Sequence, residues 1–199
     1  DNIGTFFFIF AKSIGELMIR FLTAGESHGK ALTTIVDGFP SNLKISEIYV
    51  NHQLKRRQFG YGRGLRMKIE TDKTEILSGV RFGKTLGSPI SMLIKNNDWE
   101  NWQTLMSVEA VNQKVQRISI PRPGHADLVG VSKYNFDDIR NSIERSSARE
   151  TAARVAAGSI AKILLEKFGI AIGSYVESIG GIYPDNNFSE KLFNNNIPT

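Results

Sequence analysis

Apolar residues recur every three or four positions along one stretch, residues 144–168, which reads ERSSARETAARVAAGSIAKILLEKF. This spacing places them on one side of a long helix, because an α-helix turns once every 3.6 residues. Ser147 and Glu150 have the S-x-x-E spacing of a capping box, which predicts that the helix begins at Ser147. Gly169 predicts where it ends. The apolar residues near the start of this helix are small, so another element can approach the helix closely there.

Shorter runs of alternating or β-branched residues predict the other elements. The predicted strands are residues 19–24, 31–37, 67–72, 75–80 and 90–95, and the predicted short helices are residues 46–58 and 107–115. We expect the first two strands to form a hairpin or a bent pair, and the next two to form a second hairpin. Ser46 is the expected N-cap of the first short helix.

Composition narrows the function classes only slightly. The chain has 199 residues, enough for one substantial domain, and a net charge of +5 that suits anionic partners. It has no cysteine, which excludes a disulfide framework, a thiol nucleophile and a cysteine metal site. Small phosphorylated metabolites and nucleic acid both remain open as partners.

The beginning of the chain differs from the rest. Residues 1–17 precede a methionine, Met18, that looks like a natural start, so we expect them to be a non-native or upstream extension. Their apolar run, residues 6–11, is shorter than the about 20 residues that cross a bilayer, and no basic leader precedes it. We therefore expect no membrane partner and a cytoplasmic location.

Residues 25–29 read GESHG and match the G-x-S-x-G nucleophile elbow of hydrolases. In that interpretation Ser27 attacks the substrate and His52 or His125 acts as its base. An elbow joins a strand to a helix, whereas the β-branched run after this bend predicts another strand. The context therefore disfavours the hydrolase hypothesis, and His52 is expected to be a surface residue.

A basic segment between Lys55 and Lys68 contains glycine and aromatic residues. Arginine forks bind phosphate or carboxylate groups, and glycine lets the backbone approach a ligand closely. The same mixture is typical of segments that bind single-stranded nucleic acid by stacking. The segment is thus a candidate anion-binding loop of one kind or the other, and a solvated charged loop is the alternative.

Residues 121–127, PRPGHAD, contain two prolines and a glycine that predict an extended turn holding Arg122 and His125 in place. Histidine titrates near neutral pH, and Asp127 can orient it or raise its pKa. About twenty residues later, the predicted helix start is a second candidate site, because a helix N-terminus favours an anion. The residues around that start are Arg145, Ser146, Ser147 and Arg149.

Four of these motifs occur in one order: GESHG, RRQ followed by GYGRG, RPGHAD and RSSARET. In this order and spacing the chain resembles the chorismate synthase family from about Met18 to about Gly181. The resemblance implies an α+β fold, a layered sandwich with β-sheets packed outside a central helical layer, assembled as a homotetramer. It also implies that residues 18–199 are the N-terminal part of a single domain, since family members continue for roughly as many residues again.

The resemblance further implies a reaction, in which phosphate leaves 5-enolpyruvylshikimate 3-phosphate by 1,4-anti elimination to give chorismate, with reduced FMN required. In the implied roles His28 protonates the departing phosphate, His125 protonates the reduced flavin, and Ser27 and Ser147 assist them. The implied substrate contacts are Arg57, Arg63, Arg66 and Arg122. The implied flavin contacts are Arg145, Ser146 and Ser147, and the implied contacts to a nicotinamide cofactor such as NADPH are Arg57 and Arg63.

The chain is shorter than members of the family, and its length leads to a further expectation. The family's remaining flavin contacts, and an aspartate that acts with the flavin, lie in the half that follows. We therefore expect this chain alone neither to bind FMN tightly nor to turn over. No metal is expected, and a nucleic-acid-binding module using residues 55–68 remains the alternative.

Overall fold

The computed structural model describes residues 18–59 and 69–183. Its strands are β1 Arg20–Ala24, β2 Ala31–Asp37, β3 Thr74–Ile76, β4 Val80–Arg81, β5 Lys84–Thr85 and β6 Ile90–Lys95. Its helices are α1 Glu47–Gln58, α2 Asp127–Tyr134, α3 Arg140–Arg145 and α4 Thr151–Glu166, with 3₁₀ turns at Asn97–Asn101 and Ala148–Glu150. The main sheet is antiparallel, in the order β1, β2, β6, β3, and β4 pairs with β5 separately.

One face of the main sheet is buried beneath α1 and α4. The register pairs Leu32 with Ile94 and Val36 with Ile90, and since opposed residues share a face, these side chains form one apolar surface. The buried side of α4 carries Ala152, Ala153, Ala156, Ala157, Ile160 and Ile163. The four alanines are small and let the helix lie close to the sheet. The predicted apolar helix face is confirmed, and the fold belongs to the predicted α+β class.

Most of the predicted elements are confirmed. The strands β1, β2 and β6 match their predictions to within one residue, and the first two pair as expected. Ser46 caps α1 by accepting a hydrogen bond from the backbone of Tyr49 at 3.3 Å. The signals for these elements are local, namely alternation in β2 and β6 and the Ser46 cap of α1. The predicted extension, residues 1–17, lies outside the described residues.

The predicted hairpin of residues 67–72 and 75–80 is wrong. Residues 67 and 68 lie outside the described residues, and residues 70–73 form no strand. Glu70 and Asp72 turn inward instead, where both contact the buried guanidinium of Arg149. Within residues 75–80, Glu75 and Ile76 belong to β3, which pairs with β6, and Val80 belongs to β4, which pairs with β5.

The predicted helix at residues 107–115 is also wrong, since that segment contains only bends and irregular chain. The Ser107 hydroxyl accepts a hydrogen bond from the backbone of Glu109 at 3.1 Å and donates one to the Glu109 carbonyl at 2.9 Å. Serine side chains offer the backbone such local partners in place of helical ones. This competition prevents the helical turn from starting at Ser107.

The long helix begins differently from the prediction. Its first turn is the 3₁₀ segment, capped by the Ser147 hydroxyl, which accepts from the backbone of Arg149 at 3.3 Å. Glu150 does not complete a capping box, because its carboxylate accepts hydrogen bonds from Thr23 and Arg154. The predicted end is confirmed, since Gly169 has a φ of +71° and the Ile170 amide bonds back to the carbonyl of Leu165.

Within residues 18–59 and 69–183, no helix has both the length and the apolar character needed to cross a membrane.

Candidate active site

The bend between β1 and β2 holds Ser27 and His28 in one conformation. Gly25 has a φ of +104°, and a side chain there would meet the Cα of Leu32 at 2.9 Å, so the bend requires glycine. The Asn96 side-chain amide donates to the carbonyls of Glu26 and Gly29 at 3.1 and 2.7 Å. Because Asn96 directly follows β6, the GESHG motif is anchored to the end of that strand.

His28 is held by Glu144, the residue before the last in α3. The His28 Nδ1 lies 2.9 Å from both carboxylate oxygens of Glu144, and the His28 backbone N–H donates to Oε2 at 2.8 Å. The Glu144 side chain is 1% exposed and that of His28 is 19% exposed. The imidazole is thus anchored at one edge by an enclosed carboxylate while part of the ring reaches the surface.

The face of the imidazole packs on Trp102. The two rings are stacked with their centroids 3.7 Å apart and an interplanar angle of 23°. The indole N–H of Trp102 donates to Asp98 at 2.9 Å, which fixes the orientation of the indole. Arg140 lies over the indole at 5.5 Å from the ring centroid and approaches the Glu144 carboxylate at 3.8 Å.

The Glu144 carboxyl is ionised in this setting. Burial, the largest single influence, raises the pKa of Glu144, but the hydrogen bonds from the His28 ring and backbone lower it. The charges of His28 and Arg140 act in the same direction, and the pKa of Glu144 lies below its ordinary value.

Two serines that the sequence analysis singled out meet beside this histidine. The Ser27 hydroxyl donates to the Ser147 hydroxyl at 3.0 Å, and the Ser27 amide donates to the Glu144 carbonyl at 3.0 Å. Ser27 is buried and is followed by the strand β2 rather than by a helix. The context expected of a hydrolase elbow is therefore absent, and His52 is exposed on α1 as predicted.

The turn before α2 is held by Arg122 and Asp127. The Arg122 guanidinium donates to both oxygens of the buried Asp127 carboxylate at 2.8 Å, and the Arg122 amide donates to it at 3.0 Å. These hydrogen bonds lower the pKa of Asp127 to about 2, against the opposing effect of burial. Asp127 is thus oriented towards Arg122 instead of serving His125 as we expected. His125 is exposed and bonds through its backbone N–H to the Arg122 carbonyl.

The predicted cofactor segment joins α3 to α4. The Arg145 side chain, about half exposed, donates from Nη2 to the carbonyl and hydroxyl of Thr23, both at 2.9 Å. The Ser146 hydroxyl donates to the Ser142 carbonyl at 2.7 Å. Arg145 and both serines therefore line the start of α4, and their role towards a flavin stays a prediction.

Two further arginines bind within the protein. Arg57 donates to the Thr151 hydroxyl, the Asp72 carboxylate and the Ala148 carbonyl at 3.0 to 3.2 Å, which joins α1 to the start of α4. Its predicted contact with substrate stays untested. Arg149 was expected to reinforce an anion site, and this is wrong, because its guanidinium is buried and paired with Asp72 and Glu70.

Arg63 and Arg66 lie outside the described residues, as does most of the basic segment from 55 to 68. In the described part of the chain, no group of three or more His, Asp or Glu side chains is arranged to hold a metal ion.

Sequence reasoning missed Glu144 and Trp102, which contact His28, and Arg140, which lies against both of them. Glu144 lay inside the singled-out helical stretch without a role, and neither Trp102 nor Arg140 was assigned one. No local signal connects them to His28, since Glu144 is 116 positions away along the chain. The one available hint was the position of Glu144, an acidic residue immediately before the RSSARET motif.

Comparisons with known proteins agree with the four motifs. A family model described as chorismate synthase matches residues 19–198. The chorismate synthase of Chlorobaculum tepidum is 64% identical over 166 residues, which cover 83% of this chain and 42% of that protein. The chorismate synthase of Aquifex aeolicus is 63% identical over 163 residues, which cover 81% of this chain and 41% of that protein. The chain thus spans about two fifths of the length of these relatives.

A solved structure described as a crystal structure of chorismate synthase has a TM-score of 0.66 and 48% identity to this chain. The match covers 88% of this chain and 44% of that one. None of these comparisons supports the nucleic-acid alternative.

Proposed function

The chain belongs to the chorismate synthase family, and from this premise we propose that it forms the His28-bearing part of an enzyme that converts 5-enolpyruvylshikimate 3-phosphate to chorismate. The observation that supports it best is the cradle of His28. A histidine enclosed by a carboxylate and an indole, with part of its ring at the surface, suits transfer of a proton to a bound anion.

The proposed reaction breaks one carbon–oxygen bond and one carbon–hydrogen bond and adds one double bond to the ring. The carbon–oxygen bond to phosphate breaks with its electron pair leaving on phosphate. A ring carbon–hydrogen bond breaks with its pair forming a new ring double bond, while the existing ring double bond shifts towards the carbon that loses phosphate. The proton passes to a base that the family resemblance places in the half that follows this chain. His28, when protonated, gives its proton to the departing phosphate. The loss of phosphate is easier with this proton transfer because a protonated phosphate is a better leaving group.

Binding of the substrate is assigned to arginines, since the substrate carries a phosphate and two carboxylates. Arginine binds such groups with two parallel hydrogen bonds. Arg122 and Arg57 are proposed contacts, together with Arg63 and Arg66, which lie outside the described residues. Arg122 already uses two of its nitrogen atoms on Asp127, so its remaining nitrogen atom is the one proposed to face substrate.

Reduced FMN is the proposed cofactor, and the donors around α4 fit its phosphate. A half-exposed guanidinium, the Ser147 hydroxyl and the first turn of a 16-residue helix together favour a phosphate group. The Ser146 hydroxyl would turn from the Ser142 carbonyl to join them. Arg145, Ser146 and Ser147 would hold it, and His125 would protonate the flavin ring. When bound, reduced FMN would supply electron density to the reacting substrate with no net redox change. NADPH is the proposed source of the flavin's electrons. Arg57 and Arg63 are the proposed contacts to NADPH.

Two further parts of the proposal rest on the family resemblance alone. We propose a homotetramer, and a single domain of which residues 18–199 are one part. We also propose the cytoplasmic location expected in the sequence analysis.

The test is chorismate formation by the complete gene product, measured under anaerobic conditions with reduced FMN and 5-enolpyruvylshikimate 3-phosphate. We expect activity, and we expect H28A and H125A each to lower kcat by a factor on the order of a hundred or more. H52A is the matched control, because His52 is an exposed residue of α1, and it is expected to behave as the wild type. A complete gene product that forms no chorismate would refute the proposal.

A further inference from the structure

We propose that Glu144 is a positioning residue for His28, which holds the imidazole as the Nδ1–H tautomer and so makes Nε2 the atom that exchanges a proton with the leaving group. The part of this inference that concerns the leaving group rests on the proposed function. The part that concerns the tautomer rests on geometry alone.

The first step is the identity of the donor. The Glu144 carboxylate is 1% exposed and lies 2.9 Å from Nδ1 through both oxygens. It also accepts the His28 backbone N–H at 2.8 Å. An ionised carboxylate can only accept hydrogen bonds, so the proton between Glu144 and the ring belongs to Nδ1.

The second step is the chemistry that follows from this tautomer. When the ring is protonated, Nδ1–H stays with Glu144 and Nε2–H is the proton that can be transferred. After the transfer the neutral ring still donates from Nδ1, so no rearrangement is needed and the carboxylate remains bonded throughout. A neutral ring protonated on Nε2 would instead place a bare Nδ1 against a buried carboxylate, which is costly because neither atom could donate.

The third step is the orientation of the ring plane. Stacking on Trp102 at 3.7 Å restricts rotation about the bond between the imidazole and its Cβ. Asp98 holds the indole, and Arg140 covers the Trp102 ring and approaches Glu144. The carboxylate thus sets which nitrogen is protonated, and the stacked indole sets the plane in which Nε2 points.

The tautomer is tested directly by nitrogen NMR of this chain with ¹⁵N-labelled histidine. The chain has three histidines, so H52Q and H125Q variants identify the His28 signals. At a pH where the imidazole is neutral, we expect a protonated Nδ1 and an unprotonated Nε2 for His28. In E144Q one carboxylate oxygen is replaced by an amide N–H, so we expect the Nδ1–H form to lose its dominance, and E144D to restore it at least in part.

The matched control is E166Q, which alters a helical glutamate that accepts a hydrogen bond from Tyr49 at 2.6 Å. It should leave the His28 signals unchanged, which separates loss of this carboxylate from a general effect of the substitution. A wild-type His28 protonated on Nε2, or an E144Q spectrum equal to that of the wild type, would overturn the proposal.

The kinetic arm uses the complete gene product. E144Q is expected to lower kcat at least tenfold with little change in KM, because it alters proton transfer rather than binding. In an H28A background the same substitution should cause little further loss, since Glu144 acts through His28. If the losses in kcat from E144Q and H28A instead multiply, Glu144 has a structural role independent of His28, which would contradict the proposal. If the wild type makes no chorismate, the proposed function fails, and the NMR arm decides the positioning of His28.

Discussion

Arg149 and Asp72 form an ion pair enclosed by the protein, with side chains that are 5% and 0% exposed. The same guanidinium donates to the Asn96 side chain at 2.8 Å and to the Lys95 carbonyl at 3.2 Å, and Glu70 lies 3.5 Å away. Asp72 also accepts from Arg57. Arg149 therefore joins the start of α4 to the end of β6 and to the segment before β3.

Removing the charge of Arg149 should destabilise the fold strongly. R149M keeps a similar length but takes the cation away from two buried carboxylates, and breaking a buried pair on one side costs about 3–5 kcal/mol. The free energy of unfolding in urea is the measurement. R154M is the control, because the Arg154 side chain is 57% exposed in its pair with Glu150, and such pairs contribute less than about 1 kcal/mol. Equal losses in the two variants would contradict the assigned role.

Two helical glycines should respond oppositely to alanine. Gly158 in α4 is exposed and an added Cβ would meet nothing within 4 Å, so G158A should stabilise the fold by about 0.5–1 kcal/mol. A Cβ on Gly130 in α2 would lie 2.7 Å from the Cβ of Ser142 in α3, so G130A should destabilise by about 1–3 kcal/mol. Thermal unfolding of both variants checks the difference, and a stabilising G130A would show that α2 and α3 are not packed as described.

Stability should depend on pH through Asp127. Its pKa is about 2 in the fold because Arg122 donates to it, and about 3.9 in an unfolded chain. A carboxyl whose pKa is lower in the folded state stabilises the fold above the unfolded pKa, and this contribution is lost as the pH falls through about 2. The stability difference between the wild type and D127N should therefore be constant above about pH 5 and shrink between about pH 4 and pH 2. This difference is measured by unfolding at a series of pH values.

The control for this prediction is D137N. The Asp137 side chain is 73% exposed in its ion pair with Arg117, so water screens the pair and its removal should change the stability little at any pH. A pH-independent difference for D127N would contradict the Arg122–Asp127 assignment.

The hydrogen bond between Ser27 and Ser147 should appear as an energetic coupling. In a double-mutant cycle with S27A and S147A, we expect a coupling energy of about 0.5–1.5 kcal/mol, since the two hydroxyls are 3.0 Å apart. The cycle of S27A with S146A is the matched control, because the Ser146 hydroxyl bonds to the Ser142 carbonyl. Its coupling should be near zero, and comparable values in the two cycles would refute the contact.

The sequence by itself determined the elements whose causes are local. The strands β1, β2 and β6, the start of α1 and the end of α4 depend on alternation, on Ser46 and on Gly169, which act within a turn or two. The four motifs also identified the family, because their order and spacing are properties of the chain and need no contacts.

Only the tertiary structure decided which charged groups meet. Glu150 fits a capping box in the sequence, yet it bonds to Thr23, 127 positions away, and Arg149 turns from the expected anion site into the interior. The partner of His28 is likewise 116 positions distant. Such choices depend on burial, because an enclosed charge must find its opposite wherever the chain brings one, and no local pattern encodes that encounter.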